Sequence, residues 1–168
     1  VVAEGVGGDY DENGSFTAKA GMVAQVLEAT GSSVKAFATL DEAFNAVIEG
    51  QTVRLLKDLT EDVTINKNIT LDLGGKTLTN TGAGKATVYV PKDVKATVKN
   101  GIVMGGASYY NIAVGTEAAP GGELTLIGVT ATAGNDGSSM IDNLGTLTIE
   151  SGTYTGGLNV VKSEPNAV

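Results

Sequence analysis

The 168-residue sequence contains no cysteine and no histidine. A disulfide framework is therefore excluded, and so are Cys/His zinc, haem-thiolate and iron–sulfur sites. The commonest general base of enzymes is missing along with histidine. Aromatic residues are scarce, at 5%, so small and β-branched side chains must do most of the packing. That suits a thin, repetitive β structure better than a helical globule. No apolar run reaches the length of about 18 residues that a transmembrane helix needs, so membrane insertion is not expected. Basic residues are outnumbered, 11 against 19 acidic, for a net charge of −8. An acidic surface repels phosphate backbones and anionic lipid, which argues against nucleic acid as a partner and against docking on such membranes. The start, Val1-Val2-Ala3-Glu4-Gly5, lacks the basic-then-apolar pattern of a secretory signal. It reads as a mature or trimmed terminus, or as one that never carried a signal.

Against these absences stand an apolar share of 42% and 24 glycines. The length allows one domain with a real core. Residues 1–36 read as a lead-in. Its first 21 residues are Gly-rich and acidic, like a linker or a poorly ordered segment, and strands are expected over Met22–Leu27 and Val34–Phe37 around a Gly31-Ser32-Ser33 turn. Residues 37–168 form the main unit. Thr39 followed three residues later by Glu42 is a capping box, and Asp41 and Glu42 suit the positive end of a helix dipole. Leu40, Ala43, Phe44, Val47 and Ile48 then mark one helical face, and Gly50 is the expected C-terminal cap. One amphipathic helix ahead of a long β region can cover the open end of a β stack.

After Gly50 the pattern changes to period two, with Val53 and Leu55, Val63 and Ile65, and Ile69, Leu71 and Leu73 alternating with polar residues. Four segments resemble one another: 71–78, 96–103, 124–131 and 147–154. Aligning Leu73, Val98, Leu126 and Ile149 gives steps of 25, 28 and 23 residues. Five residues after each lie Leu78, Val103, Ala131 and Tyr154, beyond a small polar or glycine corner. Another apolar strand fits each interval, at Val88–Val90, Ile112–Val114, Met140–Ile141 and Val160–Val161. A period of this length with short strands and corners is the signature of a solenoid. Leucine-rich repeats need a different leucine pattern, and a β-sandwich would not repeat one corner four times. The expected fold is all-β, a right-handed parallel β-helix with an N-terminal amphipathic capping helix. Five or six coils would make a rod on the order of 25–30 Å long. The 28-residue step carries the Gly115–Gly122 segment, expected to project from the rod.

The helix start Phe37-Ala38-Thr39-Leu40-Asp41-Glu42-Ala43-Phe44, the strand Val53-Arg54-Leu55-Leu56-Lys57-Asp58 and the corner Ile69-Thr70-Leu71-Asp72-Leu73-Gly74-Gly75-Lys76-Thr77-Leu78 carry a family likeness. The chain resembles, over residues 37 to about 161, the β-helix regions of bacterial cell-surface and secreted proteins of the pectin-lyase-like superfamily. The resemblance implies an extracellular or cell-surface location, and it implies a longer parent protein. It is specific for fold and weak for function, because the superfamily includes polysaccharide lyases, glycoside hydrolases, adhesins and passive stalks.

Several residues invite a chemical role. Tyr89, Tyr109 and Tyr110 are the expected exposed aromatics, able to stack on sugar rings and hydrogen-bond through the phenol; an ordinary half-buried surface position is the competing account. Asp9, Asp11 and Asn13, ahead of Gly14, fit the first half of a calcium loop, but the twelfth position is Ala20 where a carboxylate is required. A solvated acidic turn is the simpler account, and no metal or other cofactor is expected. Lyases of the superfamily use an Arg or Lys base near acidic calcium ligands, and Arg54 is the sole arginine, expected on the outside of a strand. Hydrolases need two facing carboxylates; Asp72, Asp142 and Glu150 lie at positions that are neither equivalent nor obviously facing. Asn100, Asn111, Asn143 and Asn159 fall near corners, where they can stack or tolerate left-handed angles. The sequence thus points to a non-enzymatic adhesin or stalk, with a carbohydrate-binding or polysaccharide-processing module as the alternative. An extracellular glycan or a host or cell-surface protein is the expected partner.

Overall fold

The period-two alternation after Gly50 becomes a coil of short parallel strands. A computed structural model describes residues 3–30, 34–107, 110–135, 137–165 and 167–168. In it β1 (Ala3–Gly5), β2 (Gly8–Tyr10) and β3 (Phe16–Ala18) form an antiparallel sheet, followed by the hairpin β4 (Ala24–Leu27) and β5 (Val34–Phe37) and the helix α1 (Leu40–Ala46). The first coil holds β6 (Thr52–Leu55), β7 (Leu59–Thr60) and β8 (Val63–Thr64), and the second β9 (Thr70–Asp72), β10 (Thr77–Thr79) and β11 (Val88–Val90). The third holds β12 (Lys95–Met104) and β13 (Ile112–Val114), and the fourth β14 (Glu123–Thr132) and β15 (Ile141–Asn143). The last holds β16 (Thr146–Ile149), β17 (Gly152–Thr155) and β18 (Val161–Ser163). The chain is an all-β parallel β-helix of about 4 turns, its strands stacked on five levels.

Three faces enclose the core. The first stacks β6, β9, the front of β12, the front of β14 and β16; the second stacks β7, β10, the rear halves of β12 and β14, and β17; the third stacks β8, β11, β13, β15 and β18. All these pairings are parallel. Inward residues form continuous ladders. Val53, Leu71, Val98 and Leu126 line the first face, Leu78, Val103 and Ala131 the second, and Val88, Ile112 and Ile141 the third. Each of them is buried, so every coil finds its apolar neighbours in the coils above and below.

The register corrects one expected equivalence. Val98 pairs with Leu71, not Leu73. The second coil carries two additional corner residues, so Leu71 and Leu78 lie seven apart where Val98 and Val103 lie five apart. Gly74 and Gly75, both at positive φ, take up this extra length. Leu73 is still buried, and its side chain fills the space beside Gly101 of the next coil. The corners above are tighter. β12 and β14 turn without leaving the ladder, at Asn100 (φ 58°) and Gly128 (φ 61°). Asn100 is the one of the four corner asparagines with a left-handed backbone. The other three tie neighbouring coils through their side chains: Asn111 Nδ2 donates to the carbonyls of Val103 and Thr132, Asn143 Nδ2 to that of Val168, and Asn159 Nδ2 to Ser139 Oγ.

The two strands expected in the lead-in are present as β4 and β5, while residues 3–18, expected as a linker, form β1–β3. β4 adds antiparallel to β6 and so pairs the free edge of the first coil. The β1–β3 sheet joins the hairpin through the Ala36 N–H, which donates to Val6 O at 2.8 Å. Asp9 sits within β2, and Asp11 holds the β2–β3 turn by accepting from the N–H groups of Asn13 and Ser15 at 2.9 and 2.8 Å. Helix α1 has the expected capping box between Thr39 and Glu42, but its C-cap is Val47, not Gly50. Leu40, Ala43 and Val47 are buried, whereas Ile48 is exposed because the helix ends before it. Lys67 of the first coil closes that end: its Nζ donates to the carbonyls of Phe44 (2.9 Å) and Val47 (2.7 Å), where a cation complements the helix dipole.

The corner geometry generates a prediction. A Cβ at position 101 would lie on Leu73 Cβ and 2.6 Å from the Lys76 carbonyl oxygen. Gly101→Ala should therefore destabilise the chain by about 1–3 kcal/mol, the usual cost of overpacking, measured by urea unfolding. An unchanged midpoint would mean that the Leu73 corner is not packed as described.

Candidate binding groove on the third face

Residues between the inward positions of the third face point outward. The pairings place Thr64, Tyr89, Ala113, Asp142 and Lys162 in one outward row, one residue per coil. Rungs of a parallel sheet are about 4.8 Å apart, so the row is a column of side chains along the long axis. Ala113 is short and almost fully covered, and it opens a gap between Tyr89 and Asp142. Two loops wall that gap. On one side stands the Gly115–Gly122 segment, whose Thr116 and Ala119 exchange backbone hydrogen bonds of 3.1 and 3.0 Å. On the other stand Gly84, Lys85 and Ala86. That second wall is held by buried Asn80, which donates to Lys85 O (2.8 Å) and Thr87 Oγ1 (3.2 Å). Asp62 anchors it from below, taking hydrogen bonds from the Thr81 N–H (3.0 Å) and the Thr81 hydroxyl. The enclosed groove measures about 540 Å³ and is lined by Tyr89, Tyr110, Asp142, Asp62, Glu117 and Lys85, with Thr64, Ala113 and Thr116. That volume is within the range of small-molecule sites.

Of the expected ligand-binding tyrosines, Tyr89 and Tyr110 line this one groove; Tyr109 lies outside the described residues. Sequence reasoning missed that Asp142 joins them. The available signal was the alternation around Ile141 and Asn143, which places Asp142 outward like Tyr89. The other acidic and basic candidates lie elsewhere. Arg54 is on the first face as expected, half exposed and paired with Asp72 at 2.9 Å. Asp72 is not on the coil surface; it is buried, accepting also from the Gly74 N–H (2.9 Å) and the Asn100 amide (3.4 Å). Glu150 is exposed at the last corner of the first face. Asp72 and Asp142 are thus on different faces of the coil. Among the described residues, no group of three or more acidic side chains is arranged to hold a metal ion. A second depression, about 600 Å³, runs over the corner at Gly121, Gly122 and Gly145. Backbone and the 2.8 Å Lys95–Glu123 ion pair make up much of its lining, and it holds no aromatic side chain.

Two acids, Asp72 and Asp142, sit in opposite environments. Burial pushes Asp72 upward, but the Gly74 N–H, the Arg54 guanidinium and the Asn100 amide outweigh it and hold the carboxyl below the usual carboxylate range. Burial pushes Asp142 above that range; Lys162 opposes the shift, while Glu164 and Glu117 add to it. Lys162 is itself ion-paired with Glu164. Asp142 Oδ1 is enclosed and accepts no hydrogen bond, which is costly for a carboxylate.

The signs of these shifts give paired predictions. Asp72 ionises more readily folded than unfolded, so its contribution is present above the unfolded value of about 3.9 and is lost as pH falls through the depressed folded value. Asp72→Asn should cost about 1.5–3 kcal/mol at neutral pH, the range for hydrogen bonds to a charged group. Asp142 is the reverse: its ionised form is disfavoured by folding, so stability falls as pH rises from the unfolded value of about 3.9, and the loss is complete once pH exceeds its raised folded value. Asp142→Asn should raise the melting temperature at neutral pH, and the gap should close below about pH 4, near the unfolded value. Thermal melts followed by circular dichroism across this range check both signs. In comparison with known proteins, the chain matches no family model, no curated protein and no solved structure.

Proposed function

We propose that this chain is a non-enzymatic adhesin or stalk segment, on the surface of a bacterial cell or secreted from it, whose third face binds an extended glycan. The proposal includes membership of the pectin-lyase-like superfamily, on the helix start and corner motifs between Phe37 and Leu78. One observation carries the binding reading. Tyr89 and Tyr110 line the same groove as Asp142, and Tyr89 and Asp142 stand on one column of side chains parallel to the long axis. Aromatic faces stack on sugar rings, and carboxylates accept from sugar hydroxyls. A partly enclosed carboxylate that costs stability is a common mark of a functional position. The coil supplies a stiff support, and a net charge of −8 favours solubility.

A polysaccharide-processing role is the second reading, favoured by the raised Asp142 carboxyl beside Glu117. A general acid needs a raised carboxyl, and hydrolysis needs a second carboxylate nearby.

A glycan-array screen of the purified chain tests the first reading, with Tyr89→Ala and Tyr110→Ala as variants. Selective binding to one glycan class is expected, weakened at least about tenfold by either variant, or about 1.4 kcal/mol. Silence across the array would overturn it. New reducing ends released from a bound glycan, lost in Asp142→Asn, would establish the processing reading instead.

A further inference from the structure

The charge of the groove narrows the glycan. We infer that the third face selects an amino-sugar chain with free, protonated amines over its neutral or N-acetylated counterparts. This inference rests on the glycan reading.

Three carboxylates, Asp62, Glu117 and Asp142, line the groove against one ammonium, Lys85. The next cation along the row, Lys162, is ion-paired with Glu164 and so adds no net charge. A smaller depression of about 430 Å³ continues the groove toward the helix, since both are lined by Asp62 and Thr64. It adds Asp41 and Glu61, and its one lysine, Lys67, is spent on the carbonyls at the end of α1. The result is a trough along the long axis whose negative charge is only partly offset by its own lysines.

Position matters as well as sign. Thr64, beside Asp62, is on the first rung of the row, Tyr89 on the second and Asp142 on the fourth. Three rung spacings are about 14 Å, so the acids flank the tyrosine along the direction in which a linear saccharide would lie. A ring stacked on Tyr89 would place its neighbours over Asp62 on one side and Asp142 on the other. An ammonium offers three donors and a full charge, which suits the carboxylates of Asp62, Glu117 and Asp142 along the groove better than a hydroxyl does. Tyrosine faces attract cations too. A lysine-rich peptide would satisfy the charges but offers no ring to stack on Tyr89, and the saccharide accounts for both.

The test is titration calorimetry of the purified chain in mildly acidic buffer. The probes are a fully deacetylated glucosamine hexamer, its N-acetylated counterpart, a neutral glucose hexamer and hexalysine. The inference expects the deacetylated hexamer to bind at least about tenfold more tightly than the other two saccharides, a difference of about 1.4 kcal/mol. Asp142→Asn and, separately, Glu117→Gln should narrow that preference to within about threefold. Tyr89→Ala should weaken all saccharides that bind. Circular dichroism melts confirm that each variant is folded, and with two charge variants on different elements the test does not hang on a single substitution. Equal binding of the acetylated and deacetylated hexamers would overturn amine selection and leave the glycan reading standing. Hexalysine binding as tightly as the deacetylated hexamer, unaffected by Tyr89→Ala, would overturn both in favour of a basic peptide. Binding of none of the four would overturn both.

Discussion

Hydrogen bonds between successive coils, directed along the long axis, set the position of everything else. A strand's side chains alternate faces, so a slip of one residue in this ladder would turn the core outward. The pairing of Leu71 with Val98, and of Val98 with Leu126, therefore fixes the first face. Through the continuous strands β12 and β14 it fixes the second as well. The third face follows after each loop with the same outward row. That Tyr89, Ala113 and Asp142 stand on consecutive rungs is a consequence of register, though they are 24 and 29 residues apart in the chain.

Two acids, one buried and one half-buried, differ in what surrounds them. Asp72 is surrounded by donors, and its partners Gly74, Arg54 and Asn100 come from three coils. It behaves as a rivet through the corner where the second coil carries its additional residues. Asp142 has an enclosed oxygen with no donor and two carboxylates, Glu117 and Glu164, close enough to raise it further. An enclosed oxygen without a donor costs stability, where the donors around Asp72 contribute to it.

Much of the architecture was legible because it rests on local signals repeated at intervals. The capping box at Thr39 and Glu42, the alternation at Val88 and Val90, and the corner spacing from Val98 to Val103 each depend on a few neighbouring residues. The misplaced equivalence of Leu73 shows the limit: both Leu71 and Leu73 are inward and apolar, so hydrophobicity cannot say which of them aligns with Val98. The space beside Gly101 decides it, and that is a property of two coils together. The N-terminal strands β1–β3 resemble a loose lead-in at the level of sequence because short antiparallel segments with glycine between them have little periodicity of their own; they gain structure by pairing with one another, as β4 does by pairing with β5 and β6. The groove was half legible for a related reason. Tyr89 could be placed outward from its neighbours, but its meeting with Asp142 depends on the lengths of the loops between β11, β13 and β15, which no local pattern encodes.

Because the bonds between coils run parallel to the long axis, the molecule is anisotropic under load. A pull along that axis stretches the rungs in series, and the coils can separate singly, beginning where an edge is least covered. A pull across the axis is shared by several strands at once and must shear their ladders together. A polymer lying lengthwise in the third-face trough would bridge successive rungs from outside, from the Thr64 level to the Asp142 level. Occupancy would then act as an external splint, strengthening the rod in the direction in which its own bonding is weakest.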